Sequence, residues 1–158
     1  MNKNIAIIVG DIVDADAYVA ISHYLKTNDF TLHTYCSNTG NVKTYQGNKI
    51  IVENAESEKL DAEFDVIFLL ANSVQEQQSL LNKQIVVDAL TNAVNQQKLI
   101  ITLGSVNLLI EDLIKYLNLP SETLLLDQVF TLQNSTSSPL ASNTIHLHEI
   151  KDMLLKYA

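Results

Sequence analysis

Three places along the chain pair a short apolar run with residues able to do chemistry: Gly10, Asp11 and Asp14 after Ile5 to Val9, Ala71, Asn72 and Ser73 after Asp65 to Leu70, and Gly104 and Ser105 after Lys98 to Leu103. The third is the most suggestive. A strand entering a tight Gly-Ser turn and leaving into a helix resembles a nucleophile elbow, where helix N-terminal amides favour an anion. A full elbow reads Gly-x-Ser-x-Gly, whereas Val106 and Asn107 follow Ser105 here. A tight turn at Gly104 with Ser105 as a helix cap explains the same residues.

Asp11, Asp14 and Asp16 surround the start of the first expected helix. Acids there complement the helix dipole, so capping is the simpler role. The sharper role is a carboxylate facing the Gly104-Ser105 turn, with Asp14 assisting a Ser105 nucleophile. The third strand ends Leu70-Ala71-Asn72 without an aspartate. That disfavours a receiver-type magnesium or phosphoacceptor site. The single cysteine, Cys36, follows the second strand with no histidine beside it in sequence. Without a cation or helix N-terminus to lower its pKa, it reads as a passive, partly buried thiol.

His23 and His33 fall inside expected elements. His146 and His148 lie two apart in an expected last helix, so they would face different ways and form no metal pair. Neither a Gly-x-Gly-x-x-Gly nor a P-loop occurs, leaving a nucleotide site without support. No metal or other cofactor is expected.

Short apolar runs alternating with helical periodicity are the pattern of an α/β domain with a largely parallel sheet. In such a sheet ligands bind beyond the carboxyl ends of the strands, near a switch in strand order. Strands are expected at Ile5 to Val9, Phe30 to Tyr35, Asp65 to Leu70, Lys98 to Leu103 and within Leu124 to Leu132. Gly40 to Val52 reads as a small β excursion. Helices are expected over Asp14 to Lys26, over a segment capped by Asn82 with Leu81, Ile85, Ala89 and Ala93 as its stripe, over Val106 to Leu117, and from about Asn143 to Tyr157. The 158 residues amount to a single domain, 1–158.

Ten lysines, no arginine and eighteen acidic residues give a net charge of −8. That balance argues against a nucleic-acid groove and against adhesion to anionic lipid. The apolar runs are too short for a signal peptide or a membrane span. With one cysteine there is no internal disulfide, so a cytoplasmic location is expected.

The order and spacing of these segments resemble the ThiJ/PfpI family of the class I glutamine amidotransferase-like superfamily. The resemblance rests on Ile5-Ala6-Ile7-Ile8-Val9-Gly10-Asp11, the excursion from Gly40-x-Val42 to Gly47-x-x-Ile50, Phe64 to Leu69, Lys98 to Leu103 before an elbow helix, and Thr136-Ser137-Ser138-Pro139 before a final helix. It implies a flavodoxin-like three-layer sandwich, a homodimer and a role in stress response.

The family's working residues are altered. Its elbow cysteine falls on Gly104, its glutamate after the first strand on Asp14, and its Pro-Gly-Gly oxyanion loop on Leu70-Ala71-Asn72. The connection after the elbow helix is short, Pro120 to Glu122 leading into Leu124-Leu125-Leu126. The resemblance therefore implies loss of Cys-dependent catalysis and a binding or interaction module. Asp11, Asn72, Ser73 and Gly104 would contact a small molecule or anion at the elbow. The alternative is a hydrolase or glyoxalase-like enzyme using Ser105 with Asp14.

Overall fold

A computed structural model describes residues 3–36, 41–52, 55–56, 63–71, 73–103, 106–118, 125, 127–133, 144–146 and 149–157. Among these, seven parallel strands form the main sheet: β1 (Asn4–Val9), β3 (Thr31–Cys36), β6 (Ala55–Glu56), β7 (Val66–Leu70), β8 (Leu99–Thr102), β9 (Val129–Gln133) and β10 (Thr144–His146). Their order is β10-β9-β8-β7-β1-β3-β6. From β1 the chain steps outward to β3 and β6, then returns to the other side of β1 as β7. The order switches between β1 and β7, whose carboxyl ends mark the expected binding crevice.

The central strands are buried on both faces, as a parallel sheet between helices requires. Side chains alternate between two cores. Ile5, Ile7, Val9, Phe68 and Leu70 pack with Tyr18, Ile21 and Leu25 of α1 (Ala15–Thr27) and with Ile150, Met153 and Leu154 of α5 (Ile150–Tyr157). Ala6, Ile8, Ile67 and Leu69 pack with Leu80 and Leu81 of α2 (Val74–Leu81), Val86 and Leu90 of α3 (Gln84–Asn95), and Leu109 and Leu113 of α4 (Val106–Leu117). The result is the three-layer α/β sandwich that the sequence suggests.

The excursion is a second sheet of three strands, β2 (Ile12–Val13), β4 (Asn41–Thr44) and β5 (Lys49–Ile51). β4 and β5 form an antiparallel hairpin, and β2 joins β4 in parallel. Val13, Val42 and Thr44 face inward, while Lys43 and Lys49 are exposed.

Two expected elements differ. Asn82 does not start a helix. It caps the carboxyl end of α2, a helix the apolar pattern does not reveal, and α3 begins after Lys83 with no side-chain cap. α2 has few apolar residues, and Leu80 and Leu81 anchor it from its last turn. His146 lies in β10 and not in a helix, because the segment from Thr144 pairs with Thr131 to Gln133 of β9. His148 lies outside the described residues.

Candidate functional site at the sheet's switch point

β1 ends at Val9, which pairs with Leu70 of β7 on one side and Cys36 of β3 on the other. Gly10 follows directly. A Cβ on Gly10 would lie 3.8 Å from Glu76 Oε2, so the glutamate side chain rests against the end of β1. Glu76 belongs to the first turn of α2, and its backbone N–H donates to Ser73 Oγ at 3.2 Å. Ser73 and Glu76 have the spacing of a capping box. Glu76 Oε2, however, is buried and has no hydrogen-bond partner among the described residues.

The hairpin turn closes over this carboxylate. Thr44 Oγ1 donates to Asn48, Gly47 takes a φ of 94°, and the Tyr45 N–H donates to the Val13 carbonyl at 3.1 Å. Gln46 Oε1 accepts from the Ala15 N–H, and its amide donates to Asp14 Oδ1. The turn is thus pinned to the start of α1 and presents Tyr45 to the start of α2. Burial first, then the adjoining Glu76 carboxylate, push the Tyr45 hydroxyl above the ordinary value of 10.0; the Ser73 hydroxyl pulls the other way and the Asp14 charge adds to the rise. Tyr45 therefore stays a neutral donor throughout the physiological range.

The expected site residues divide clearly. Asp14 is the N-cap of α1 and accepts from the Ala17 N–H at 3.2 Å. Ser73 is the N-cap of α2. Asp11 is exposed and lines a surface pocket beside the small sheet. Asn72, Gly104 and Ser105 lie outside the described residues. Cys36 is fully buried in the core at the end of β3. Among the described residues no three His, Cys, Asp or Glu side chains cluster to hold a metal, and no helix is long and apolar enough to cross a membrane.

Tyr45 and Glu76 escaped the sequence reading. The Ser73-Val74-Gln75-Glu76 spacing was a usable signal for the glutamate. Nothing local marks Tyr45, because only tertiary folding carries the turn to α2. Together these groups can bind a ligand through a carboxylate acceptor, a phenol donor and a hydroxyl.

This strand order, with its helices and its small accessory sheet, defines a fold already known from solved structures. The structural neighbours are DJ-1/ThiJ/PfpI proteins, and the chain shares their fold. The DJ-1/ThiJ/PfpI-like region of a two-domain protein from Anabaena variabilis, which also has a ferritin-like domain, superposes with a TM-score of 0.61 at 18% identity over 98% of this chain. The chain spans about half (48%) of that protein. Drosophila melanogaster DJ-1beta gives 0.61 at 15% identity, covering 99% of this chain and 88% of its own. Schizosaccharomyces pombe DJ-1 gives 0.59 at 13% identity, covering 97% and 88%. No protein-family profile matches the sequence, and no curated protein sequence does.

Proposed function

We propose that this chain is a DJ-1/ThiJ/PfpI-fold protein that has lost Cys-dependent catalysis and works as a small-molecule-binding or protein-interaction module. One observation carries the reading. By the resemblance in segment order, Gly104 falls where the family carries its elbow cysteine, and the only cysteine in the sequence, Cys36, is buried in the core at the end of β3. A thiol there has neither a path to substrate nor the exposed electropositive surroundings of a reactive cysteine. Loss of a nucleophile that acts as part of a unit removes most of the catalytic advantage.

Binding in the switch-point crevice would draw on Ser73, Tyr45 and Glu76, with Asp11, Asn72 and Gly104 contributing at the elbow. Asp14 holds α1 and the hairpin turn in place. The module acts as a homodimer in the cytoplasm, an assembly that light scattering of the purified protein checks.

Assay of the purified protein and of Cys36→Ala against glyoxals and ester substrates tests the reading. Neither should turn over either class. Turnover abolished by Cys36→Ala would refute it. Labelling of Ser105 by fluorophosphonate probes, lost in Ser105→Ala, would instead establish the hydrolase alternative with Asp14.

A further inference from the structure

The outer face of the small sheet carries a row of residues in register: Ile12 of β2 opposite Lys43 of β4, and Lys43 opposite Lys49 of β5. Asn41 lies two residues before Lys43 on the same face, and Asp11 precedes Ile12 in the bend between β1 and β2. These five residues line a pocket of about 410 Å³, within the usual range for small-molecule sites. Two ammonium side chains directly opposite on an antiparallel pair repel each other, since their Cβ atoms stand only about 4.5–5.5 Å apart. Neither lysine makes an ion pair with any described residue. In a chain with net charge −8, this is a local reversal of sign built across two strands.

We propose that this pocket binds a small dianion, a phosphate monoester or a dicarboxylate. Lys43 and Lys49, opposite each other across β4 and β5, put two cations on the pocket's lining, the charge a dianion needs, and lysine serves phosphate as a compact point charge. Asn41 offers an amide donor. Ile12 gives an apolar wall to the rest of the ligand. Asp11 accepts from a hydroxyl or amine on the rest of the ligand. The pocket shares only Asp11 with the residues invoked for the crevice and does not rest on that reading.

Amide-resolved NMR titration of the full chain with inorganic phosphate, phenyl phosphate and succinate at constant ionic strength tests the proposal. The amides of Asp11, Ile12, Lys43 and Lys49 should shift saturably, and phenyl phosphate should bind more tightly than inorganic phosphate through Ile12. Lys43→Gln and Lys49→Gln should each weaken binding about tenfold, one lost charge-assisted contact, and Asp11→Asn should tighten it. Both lysines are exposed, and the spectra report directly whether each variant remains folded. Saturation by phosphates alone, or by succinate alone, supports the site and fixes the source of the charge. Shifts spread over all the lysines, or unchanged binding in the double lysine variant, would overturn it.

Discussion

Glu76 and Tyr45 meet because three local features coincide. Gly10 leaves room beside β1, Ser73 starts α2 so that Glu76 falls in its first turn, and the hairpin turn swings Tyr45 across the gap. The raised Tyr45 value has a definite sign. The folded state holds the phenolic proton more tightly than the unfolded chain, so this contribution to stability is complete below pH 10 and disappears as pH rises through the folded value. Tyr24, also raised, first by burial and further by the Asp152 charge against a backbone hydrogen bond at Lys151, adds in the same window. Tyr45→Phe should therefore lose less stability between neutral and strongly alkaline pH than the parent protein, as read by chemical denaturation across that range. Glu76→Gln should lower the Tyr45 value in a phenolate absorbance titration yet leave it above 10.0, because burial is the larger cause. An unchanged titration in Glu76→Gln would separate the two side chains in solution.

Helix ends carry unusual chemistry in a chain with only four glycines. Asp29, Gln97 and Asn118 each take a positive φ just beyond a helix, the conformation that glycine ordinarily supplies. After α3 the pattern is complete: the Gln97 N–H donates to the Val94 carbonyl and the Lys98 N–H to that of Ala93. This turn feeds directly into β8, so it sets where the strand begins. Left-handed backbone costs a residue such as glutamine about 1–2 kcal/mol, partly offset in glycine by its greater unfolded entropy. Gln97→Gly should accordingly stabilise the protein by about 1 kcal/mol in urea denaturation, with the midpoint raised and the slope unchanged. The α2 helix shows the opposite balance. Its eight residues carry little apolar surface, and the Ser73 cap, the two terminal leucines and the buried Gln77 amide donating to Asp112 of α4 hold it. A helix held this way leaves a weak periodicity, which is why the sequence pattern passes over it.

Across the whole molecule, the Asp65–Lys98 ion pair and the candidate sites occupy opposite ends of the sheet. At the amino ends of the strands, Asp65 accepts from the Asn4 N–H and pairs with Lys98, tying β1, β7 and β8 together. The carboxyl ends hold the crevice and the lysine pocket. Between them the core is largely aliphatic, and Phe68 is the largest fully buried side chain among the described residues. Phe68→Ala should cost about 3–5 kcal/mol, a large share of a domain's usual total. Thermal melting would show it as a marked fall in midpoint, far beyond that of a surface substitution such as Lys43→Gln.

The sequence by itself determined the alternation of buried strands and amphipathic helices, and with it the parallel three-layer sandwich, because apolar periodicity is a local property that burial simply reads out. It also determined that Asp14 stands at a helix start, since capping needs only neighbours three residues away. Tertiary structure alone decided that the Thr144 to His146 segment is a strand, because three residues become a strand only by hydrogen-bonding to a neighbour. It decided also that Tyr45 faces Glu76 across an interval of thirty-one positions (45 to 76), and that Lys43 stands opposite Lys49 beside Asp11. Those pairings depend on hairpin register and on the return of the chain past β1, which no local pattern encodes.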